Sequence, residues 1–556
     1  MNALELYKKW MENADPDTRA ELAAIEGDEN EIYDRFYRNL AFGTGGMRDL
    51  IGAGTNRINC YTVRKATLGF ARYLKKMFGE EAATRGVVIS HDNRRMSRAF
   101  CMEAAGVLAA EGIRAFIFDA LRPTPELSFA VRYQKAVGGI MITASHNPPE
   151  YNGYKVYDEH GCQLIPRLSD ILIDMISEIE DPLTVKSLTP AEAGELIVTL
   201  PRELDEVYYQ AVMGIRLRPD VNAGDLTVVY SPQHGTGNVP VREVLGRCGY
   251  NVIPVLEQCE PDENFSGTKN PNPETRDAYD LCLAYAKKSA ADIAITTDPD
   301  GDRLGVAVKV GGEYTLLTGN QSGAILLEYI FSTRREAGTL PTDAVMCNTI
   351  VTSTLGDRIC EKYGVRVEKT LTGFKFIGDK IHTYETEKNA TYVFGYEESY
   401  GCLIADFARD KDGVQASLML CEAAAYYKAQ GKTLLDVLAD LYAEHGFYLD
   451  AQTNVVHKGA AGVAKIAALL EDLRKEPPRA IGDMTVTAVE DYLSETMRRA
   501  GFPASNVLRY LLSDGSFVAV RPSGTEPKCK YYYCVVGATE AEAAEKHAAL
   551  RAVFER

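Results

Sequence analysis

The stretch "GGIMITASHNPPEYNGYKVY", Gly138 to Tyr157, begins as an apolar run and stops abruptly at Ser145 and His146, where a polar loop follows. This pattern predicts a buried strand that delivers a hydroxyl to its end. His146 is not expected to act as the general base of Ser145, because successive side chains on an extended segment point to opposite sides. The residues therefore argue against a serine–histidine hydrolase.

Similar apolar strands, each followed by a polar or glycine-rich turn, recur up to about residue 440. They predict α/β domains, in which strands, turns and helices alternate. The last hundred residues predict a small α+β unit. The α/β stretches are "RGVVISHDNRR" with "SRAFCMEAAGVLAAEG", "LTVVYSPQHGTGNVPVREVLGRCG", "ADIAITTDPDGDRLGVAV" and "ATYVFGYEESYG", and the α+β stretches are "MTVTAVEDYL" and "SFVAVRPSGTEPKCKYYYCVVG".

A chain of 556 residues exceeds what one hydrophobic core usually supports. The changes of pattern predict domains at residues 1–205, 206–320, 321–445 and 446–556. No stretch approaches the ~18 uninterrupted apolar residues that cross a bilayer. The N-terminal segment alternates apolar and charged positions like a surface helix and lacks the features of a secretory signal. We therefore expect a cytoplasmic protein that is not bound to a membrane.

The charge and the cysteine content exclude several classes of partner. A net charge of −17 repels nucleic acid and anionic membranes in general. An anionic substrate must therefore bind where cations are locally concentrated. The twelve cysteines are scattered, with no C-x-x-C pair, which indicates buried free thiols and not a zinc site or a disulfide framework.

The loop "TTDPDGDR", Thr296 to Arg303, places Asp298, Asp300 and Asp302 at alternating positions after an apolar strand. The intervening Pro and Gly bend the chain so that the three carboxylates can converge. Three like charges at short range need a cation, and hard oxygen ligands suit Mg²⁺ or Ca²⁺. The loop lacks the Gly and Glu that an EF-hand requires. A solvated acidic turn is the alternative.

The segment "VAVRPSGTEPKCKYY" combines Arg521, Ser523, Gly524, Thr525 and Lys528 after a strand. Hydroxyls, exposed backbone N–H groups and flanking cations predict a phosphate-binding loop, with a plain turn as the alternative. The loop "FGTGGMR" has similar chemistry but is a weaker signal. The segment "HGTG" lacks the final Gly of a dinucleotide-binding fingerprint and predicts a structural turn.

The loop "GYEESYG" offers Glu397, Glu398 and Ser399 after a strand. Such groups can bond to vicinal sugar hydroxyls, although an acidic surface loop fits the same residues. The isolated lysines Lys375 and Lys411 are expected at the surface.

Ser145 acquires a function if it lies beside the aspartate loop. It can then hold a phosphoryl group whose charge Mg²⁺ and Arg303 offset. A metal, a serine and a second, remote phosphate loop together predict phosphoryl transfer on a substrate that carries phosphate at its other end.

Five motifs, "FGTGGMR", "TASHNP", "DPDGDR", "GYEESYG" and "RPSGT", occur in this order over nearly the whole chain. Together they resemble the α-D-phosphohexomutases, and in particular their phosphoglucomutase branch. The resemblance implies a heart-shaped, four-domain architecture, with three similar α/β domains and a C-terminal α+β domain like the TATA-box-binding protein. It also implies sugar phosphates as substrates, one Mg²⁺ per chain and glucose 1,6-bisphosphate as activator.

The resemblance assigns roles to individual residues. The implied phosphoserine is Ser145. The implied Mg²⁺ ligands are Ser145, Asp298, Asp300 and Asp302. The implied catalytic basic residues are Arg48, Lys155, Arg303 and Lys375. The implied substrate ligands are Glu397 and Ser399 for sugar hydroxyls, and Arg521, Ser523, Gly524 and Thr525 for the distal phosphate.

The implied activity is that of an isomerase, the phosphoglucomutase reaction between α-D-glucose 1-phosphate and glucose 6-phosphate. Phosphomannomutase and phosphopentomutase are alternatives within the family, although "EES" resembles the glucose-phosphate enzymes. A metal-dependent sugar phosphatase and a catalytically silent sugar-phosphate binder are alternatives outside it. Asp49, which follows Arg48 where the family commonly has Gly, leaves the local backbone path open.

Overall fold

The computed structural model describes residues 1–43, 45–456, 459–522 and 528–555. The chain divides into two compact units. The first consists of Met1–Leu316, Gly378–Thr386 and Gly401–Ala425, and the second of Leu317–Ile377, Glu387–Tyr400 and Tyr426–Arg556. Within the described ranges, no helix combines the length and the apolar character needed to cross a bilayer.

The first sheet is formed by Met47–Leu50 (β1), Val87–His91 (β2), Ala115–Ile117 (β3), Gly138–Ile142 (β4), Tyr151–Asp158 (β5) and Ile197–Thr199 (β6). Their order across the sheet is β1-β5-β4-β2-β3-β6. Strands β4, β2, β3 and β6 are parallel, and β5 runs antiparallel to both β1 and β4. Every residue of β2 and β4 is buried, as expected for central parallel strands that are covered on both faces.

The α-helices around this sheet are Ala3–Asn13 (α1), Pro16–Ala23 (α2), Glu29–Phe36 (α3), Cys60–Phe78 (α4), Glu81–Arg85 (α5), Ser97–Ala110 (α6), Thr124–Tyr133 (α7), Pro166–Ser177 (α8), Pro190–Ala193 (α9) and Glu203–Met213 (α10). The predicted N-terminal surface helix corresponds to α1 and α2. Its apolar face is buried, because Trp10 packs edge-on against Phe36 with 5.7 Å between ring centres.

The second sheet is formed by Thr227–Ser231 (β7), Asn251–Pro254 (β8), Ile293–Thr297 (β9), Leu304–Val310 (β10) and Glu313–Leu317 (β11), in the order β11-β10-β9-β7-β8. Its helices are Asn238–Arg247 (α11) and Asp280–Ser289 (α12). The alternation of strand, turn and helix that the sequence predicts fails after the "DPDGDR" loop, because β10 returns antiparallel to β9. Gly301, at φ +69°, turns the chain so sharply that the apolar run after Arg303 pairs back onto the strand before the loop.

Parallel strands Arg366–Thr370 (β13), Ala344–Thr349 (β12) and Thr391–Tyr396 (β14) lie side by side in that order in the second unit. The two-residue strand Cys402–Leu403 (β15) falls in the first unit. The α-helices of this part of the chain are Gly319–Glu336 (α13), Leu355–Tyr363 (α14), Phe374–Glu387 (α15), Gly413–Ala429 (α16) and Leu434–His445 (α17).

The last sheet confirms the α+β unit predicted for the C-terminal hundred residues. Its strands are Phe447–Val456 (β16), Ala480–Ile481 (β17), Met484–Asp491 (β18), Leu508–Leu512 (β19), Phe517–Pro522 (β20) and Lys528–Gly537 (β21), in the order β16-β21-β20-β19-β18-β17. Neighbouring strands are antiparallel. The accompanying helices are Gly459–Lys475 (α18), Glu495–Arg499 (α19) and Glu540–Phe554 (α20).

Gly305, in β10 just after the aspartate loop, permits a close approach of Tyr279. A Cβ atom at residue 305 would lie 1.9 Å from Tyr279 Oη, which donates a hydrogen bond of 3.0 Å to the carbonyl oxygen of Pro273. We expect Gly305→Ala to destabilise the first unit by about 1–3 kcal/mol, as overpacking of a buried contact does. Thermal and denaturant unfolding would measure the loss.

The matched control is Gly246→Ala in α11, where no atom lies within 4 Å of the position a Cβ would take. Alanine favours a helix more than glycine does, so this variant should keep or raise stability by up to about 1 kcal/mol. Equal melting temperatures for the two variants would contradict the close approach at Gly305.

Candidate active site

Ser145 lies three residues beyond β4 and is buried. Its φ of +52° lies in the left-handed region, so the chain turns sharply at this residue. The Ser145 N–H donates to Thr143 Oγ1 at 2.8 Å, and its Oγ donates to Asp298 Oδ2 at 2.7 Å. The structure therefore brings the serine and the aspartate loop together.

His146 corrects one expectation from the sequence. Its Nδ1 lies 3.2 Å from Ser145 Oγ, so the two side chains are on the same side. The argument from alternating side chains fails because the backbone at Ser145 is left-handed and not extended. Burial, together with the positive charges of Arg303 and Arg48, lowers the pKa of His146 well below its usual value, so the ring is neutral near pH 7.

Arg94 organises the serine loop, and the sequence reasoning missed it. Its guanidinium is buried and donates to the carbonyl oxygens of Ser145 at 2.6 Å, Pro148 at 2.7 Å and Tyr151 at 3.1 Å, and also to that of Asn147. An arginine three residues after the buried strand β2, in "SHDNRR", is the signal that could have indicated it.

The three aspartates of the metal loop are buried and converge. One carboxylate oxygen from each of Asp298, Asp300 and Asp302 lies within 4.8 Å of the others. Asp298 Oδ1 accepts the backbone N–H groups of Asp302 at 3.1 Å and Arg303 at 3.0 Å. These bonds close the loop on itself, so the alternative of a solvated turn is wrong.

Two lysines compensate these charges. Lys155 Nζ lies 2.7 Å from Asp300 Oδ2 and 3.6 Å from Asp302 Oδ2. Lys411 Nζ lies 3.1 Å from Asp302 Oδ2 and 3.3 Å from Asp410 Oδ1. The expectation that Lys411 is a surface charge is wrong, because only 8% of the residue is exposed. Its carboxylate partner Asp302 is distant in sequence, so no local pattern indicated the pair.

The two candidate catalytic arginines lie at the edge of this cluster. Arg303 Nε is 3.8 Å from Asp302 Oδ1, and its guanidinium also binds Glu274 Oε1 at 2.5 Å. Arg48 is exposed and donates to Asn147 Oδ1 at 3.0 Å. Asp49, which follows it, pairs in register within β1 and β5, so the departure from Gly does not interrupt the strand.

The "HGTG" segment is the structural turn that was predicted, and it supports the metal loop. Thr236 donates to the carbonyl oxygen of Pro299 through its N–H at 2.8 Å and its Oγ1 at 3.0 Å. A Cβ on Gly235 would lie 2.5 Å from the Pro299 backbone. From the other side, Thr124 donates its N–H to the Asp300 carbonyl oxygen and its Oγ1 to Asp300 Oδ2, each at 2.9 Å.

The donor set fits a divalent cation. Asp300 Oδ1 and Asp302 Oδ1 are buried and accept no hydrogen bond from any residue that the structure describes. Burial and the charge of Asp300 raise the pKa of Asp298 well above its usual value. Burial alone would raise the pKa of Asp300 too, but Lys155, a hydrogen bond with Asp298 and the charge of Lys411 together outweigh burial, and the pKa is lowered. Buried oxygen ligands with lone pairs that no described residue occupies are what a hard cation requires.

The predicted sugar loop lies in the second unit. Glu397 is buried, and its Oε1 accepts the N–H of Gly373 at 2.8 Å. Lys375, two residues beyond Gly373, is half-buried in the first turn of α15. Ser399 is half-buried. Glu397 therefore ties the "TGFK" loop to the "EES" loop, which the sequence could not indicate.

Glu398, between the two expected sugar ligands, is anchored to the end of β12. Its Oε2 accepts from Thr349 Oγ1 and Thr352 Oγ1, each at 3.2 Å. Backbone N–H groups donate to the same two hydroxyls, which also share a hydrogen bond of 2.9 Å with each other. Burial, with the neighbouring charge of Glu397, raises the pKa of Glu398 to about 7.

The distal phosphate loop is described only in part. Arg521 is half-buried in β20, where it pairs with Lys530 of β21. Ser523, Gly524 and Thr525 lie outside the described residues.

The chain matches family models along most of its length. They are the phosphoglucomutase/phosphomannomutase alpha/beta/alpha domains I, II and III, at residues 39–182, 206–311 and 318–445, and the C-terminal domain of the same family, at residues 456–552.

Similar whole proteins are phosphoglucomutases. That of Staphylococcus haemolyticus (strain JCSC1435) is 38% identical over 511 residues, which cover 89% of this chain and 90% of that protein. That of Staphylococcus aureus (strain USA300) is 37% identical over 533 residues, 94% of each chain.

Solved structures with the same fold include a phosphoglucomutase/phosphomannomutase family protein from Burkholderia thailandensis, with 18% identity, a TM-score of 0.68 and coverage of 92% of this chain and 97% of that one. The open form of the Paramecium phosphoglucomutase pp63/parafusin has 18% identity, a TM-score of 0.69 and coverage of 93% and 94%. The expected four-domain architecture of mixed α/β sheets is confirmed.

The raised pKa of Glu398, about 7, predicts a pH dependence of stability. A carboxyl whose pKa is higher in the folded than in the unfolded protein stabilises the fold once it is protonated, so this contribution grows as pH falls from 8 to 6. Glu398→Gln removes it. Between pH 8 and pH 6, the melting temperature of the variant should therefore rise less, or fall more, than that of the wild type.

Glu361→Gln is the control, because the Glu361 side chain is 72% exposed in the same unit. Its melting temperature should follow that of the wild type at each pH. Parallel pH curves for Glu398→Gln and the wild type would contradict the raised pKa.

Proposed function

The chain belongs to the phosphoglucomutase/phosphomannomutase family and is an enzyme of the isomerase class, and from this premise we propose that it interconverts α-D-glucose 1-phosphate and glucose 6-phosphate. Ser145 carries the transferred phosphoryl group, and glucose 1,6-bisphosphate is the intermediate and activator. The observation that carries the proposal is the 2.7 Å hydrogen bond from Ser145 Oγ to Asp298 Oδ2. It joins the loop that carries the candidate nucleophile to the loop predicted to bind metal.

The residues of the first unit support phosphoryl transfer. The phosphoserine gives its phosphoryl group to the free sugar hydroxyl, and the reoriented bisphosphate returns its other phosphoryl group to the serine. In each transfer to sugar, the attacking hydroxyl loses a proton and the serine oxygen gains one. Neutral His146, with Nδ1 3.2 Å from Ser145 Oγ, is positioned to hold that proton. Arg48, Lys155 and Arg303 are the cations proposed to face the transferred group.

We further propose that Asp298, Asp300, Asp302 and the Ser145 oxygen hold one Mg²⁺. The bound ion would supply positive charge next to the transferred phosphoryl group. The orphaned oxygens of Asp300 and Asp302 support this assignment. Lys155 holds Asp300 in place at 2.7 Å, so this ligand is already oriented by the protein.

Substrate recognition is assigned to the second unit. Glu397 and Ser399 are the proposed ligands of sugar hydroxyls, and Lys375 the proposed cation near the reacting hydroxyl. Arg521, with Ser523, Gly524 and Thr525, is the proposed clamp for the phosphate that is not transferred. Because the two phosphates exchange places during the cycle, one clamp has to accept either end of the sugar.

The proposed domains remain 1–205, 206–320, 321–445 and 446–556. Each range contains the strands of one of the sheets, which supports the division. Positions 205 and 320 fall inside α10 and α13. We therefore propose that the chain passes from one domain to the next in the loops that precede these helices.

Purified protein should be assayed with glucose 1-phosphate, mannose 1-phosphate and ribose 1-phosphate, each with its bisphosphate and Mg²⁺. We expect the highest kcat/KM for glucose 1-phosphate. A tenfold preference for mannose or ribose phosphate, about 1.4 kcal/mol of transition-state discrimination, would assign the chain to another branch. Release of inorganic phosphate without isomerisation would indicate a phosphatase.

Ser145→Ala should lower kcat by about 10⁴-fold or more, because no other side chain replaces a missing nucleophile. Intact-mass measurement and peptide mapping should find phosphate on Ser145 of the wild type. Thr143→Ser, two residues earlier, is the control, since it keeps the hydroxyl that accepts the Ser145 N–H. Phosphate on another residue of active enzyme, with Ser145 unmodified, would contradict the proposal.

A further inference from the structure

Phe265 covers the arginine that organises the serine loop. Its ring centre lies 5.0 Å from Arg94 Cζ, and only 2% of the residue is exposed. An aromatic face attracts a guanidinium most strongly where water is excluded. Arg94 meanwhile donates to the carbonyl oxygens of four residues between Ser145 and Tyr151. The ring therefore packs against the guanidinium that makes these hydrogen bonds.

The backbone of Phe265 is strained. Its φ is +52°, a left-handed conformation that a bulky residue rarely adopts and that glycine would adopt at no steric cost. Such strain persists only where the surroundings impose it, and it clusters at functional sites. The chain thus retains a large aromatic residue at a position whose backbone favours glycine.

Residues 262–268, which we call the clamp turn, impose this conformation. Asp262 accepts the N–H groups of Asn264 at 2.9 Å and Ser266 at 2.8 Å through its two carboxylate oxygens. The Phe265 N–H donates to the Asp262 carbonyl oxygen at 3.3 Å, and the Phe265 carbonyl oxygen accepts the Thr268 N–H at 2.9 Å. The turn is therefore closed by its own hydrogen bonds.

The clamp turn is hydrogen-bonded to the segments that support both loops of the candidate site. Gly267 N–H donates to His234 Nε2 at 3.1 Å, and His234 belongs to the "HGTG" turn that supports Pro299 of the metal loop. On the other side, Asn93, adjacent to Arg94, donates to the Asp262 carbonyl oxygen at 2.8 Å. One turn closed by its own hydrogen bonds thus connects the support of the metal loop with the support of the serine loop.

We propose that Phe265, presented by the clamp turn, is a positioning residue that fixes the serine loop against the metal loop during phosphoryl transfer. It acts through Arg94 and does not touch the substrate. The proposal rests on the proposed function in one respect, since it takes Ser145 as the residue that carries the phosphoryl group.

Phe265→Leu keeps a buried apolar side chain and removes the aromatic face. Hydrogen exchange measured by mass spectrometry should become several-fold faster in peptides that cover residues 143–152. With saturating Mg²⁺, kcat should fall about tenfold for both directions of the reaction, with KM within about twofold of the wild type, because small displacements of reacting groups reduce turnover. The Mg²⁺ concentration at half-maximal activity should not change.

Phe517→Leu is the matched control. Phe517 is buried to the same degree, with 1% exposed, and its ring lies 4.4 Å from Arg509 Cζ in the C-terminal sheet. This variant loses an equivalent arginine–aromatic contact, so exchange in residues 143–152 should stay as in the wild type. Equal exchange there in Phe265→Leu, Phe517→Leu and the wild type would overturn the proposal, as would faster exchange in Phe265→Leu with unchanged kcat.

Asn93→Ala tests the same connection if Phe265→Leu does not fold, because it removes only the bond from the serine side to the clamp turn. The same two readouts should move in the same direction, and their constancy would overturn the proposal. Hydrogen exchange does not depend on the reaction. Wild-type protein without phosphate on Ser145 would therefore contradict the proposed function. The hydrogen-exchange result would still test whether Phe265 fixes the serine loop.

Discussion

Three carboxylates that converge without access to water are the constraint on which the first unit depends. The groups of Asp298, Asp300 and Asp302 are each no more than 2% exposed. Removing an ion from water costs several kcal/mol even after a protein relaxes around it. Two lysines, one arginine and the closing backbone N–H groups reduce that cost. Two carboxylate oxygens remain without a partner among the described residues, and a divalent cation would use them.

The compensating groups come from distant parts of the chain. Lys155 stands in β5, Thr124 begins α7, and Lys411 precedes α16, yet all three reach the same loop. The charges are therefore arranged before any substrate binds, and a preorganised arrangement costs no reorganisation during the reaction. Under the proposed function, folding and catalysis depend on the same contacts, so we expect a substitution at these residues to affect both.

The second unit uses acidic residues differently. In "EES", both glutamates are engaged with the protein: Glu397 with the Gly373 N–H and Glu398 with the hydroxyls of Thr349 and Thr352. The motif therefore first defines a loop conformation. The Glu397 carboxylate connects the "EES" loop with the "TGFK" loop, whereas the Glu398 carboxylate attaches the "EES" loop to the end of β12. The two adjacent glutamates thus make different contacts, and their order in the chain does not reveal which contact each of them makes.

The patterns were sufficient to predict the α/β and α+β domains and the aspartate cluster, because strand patterns and charge spacing are local properties. The place of Ser145 beside that cluster was a condition in the argument from the residues, and only the resemblance implied it. Tertiary structure alone decided the rest. The left-handed backbone at Ser145 placed His146 on the same side as the hydroxyl, against the expectation for an extended chain. Lys411, Arg94 and Phe265 acquired their tasks from partners many residues away. A sequence shows which charged groups need a partner of opposite charge. The packing of the sheets determines which residues become those partners, because spacing along the chain does not specify contacts between distant residues.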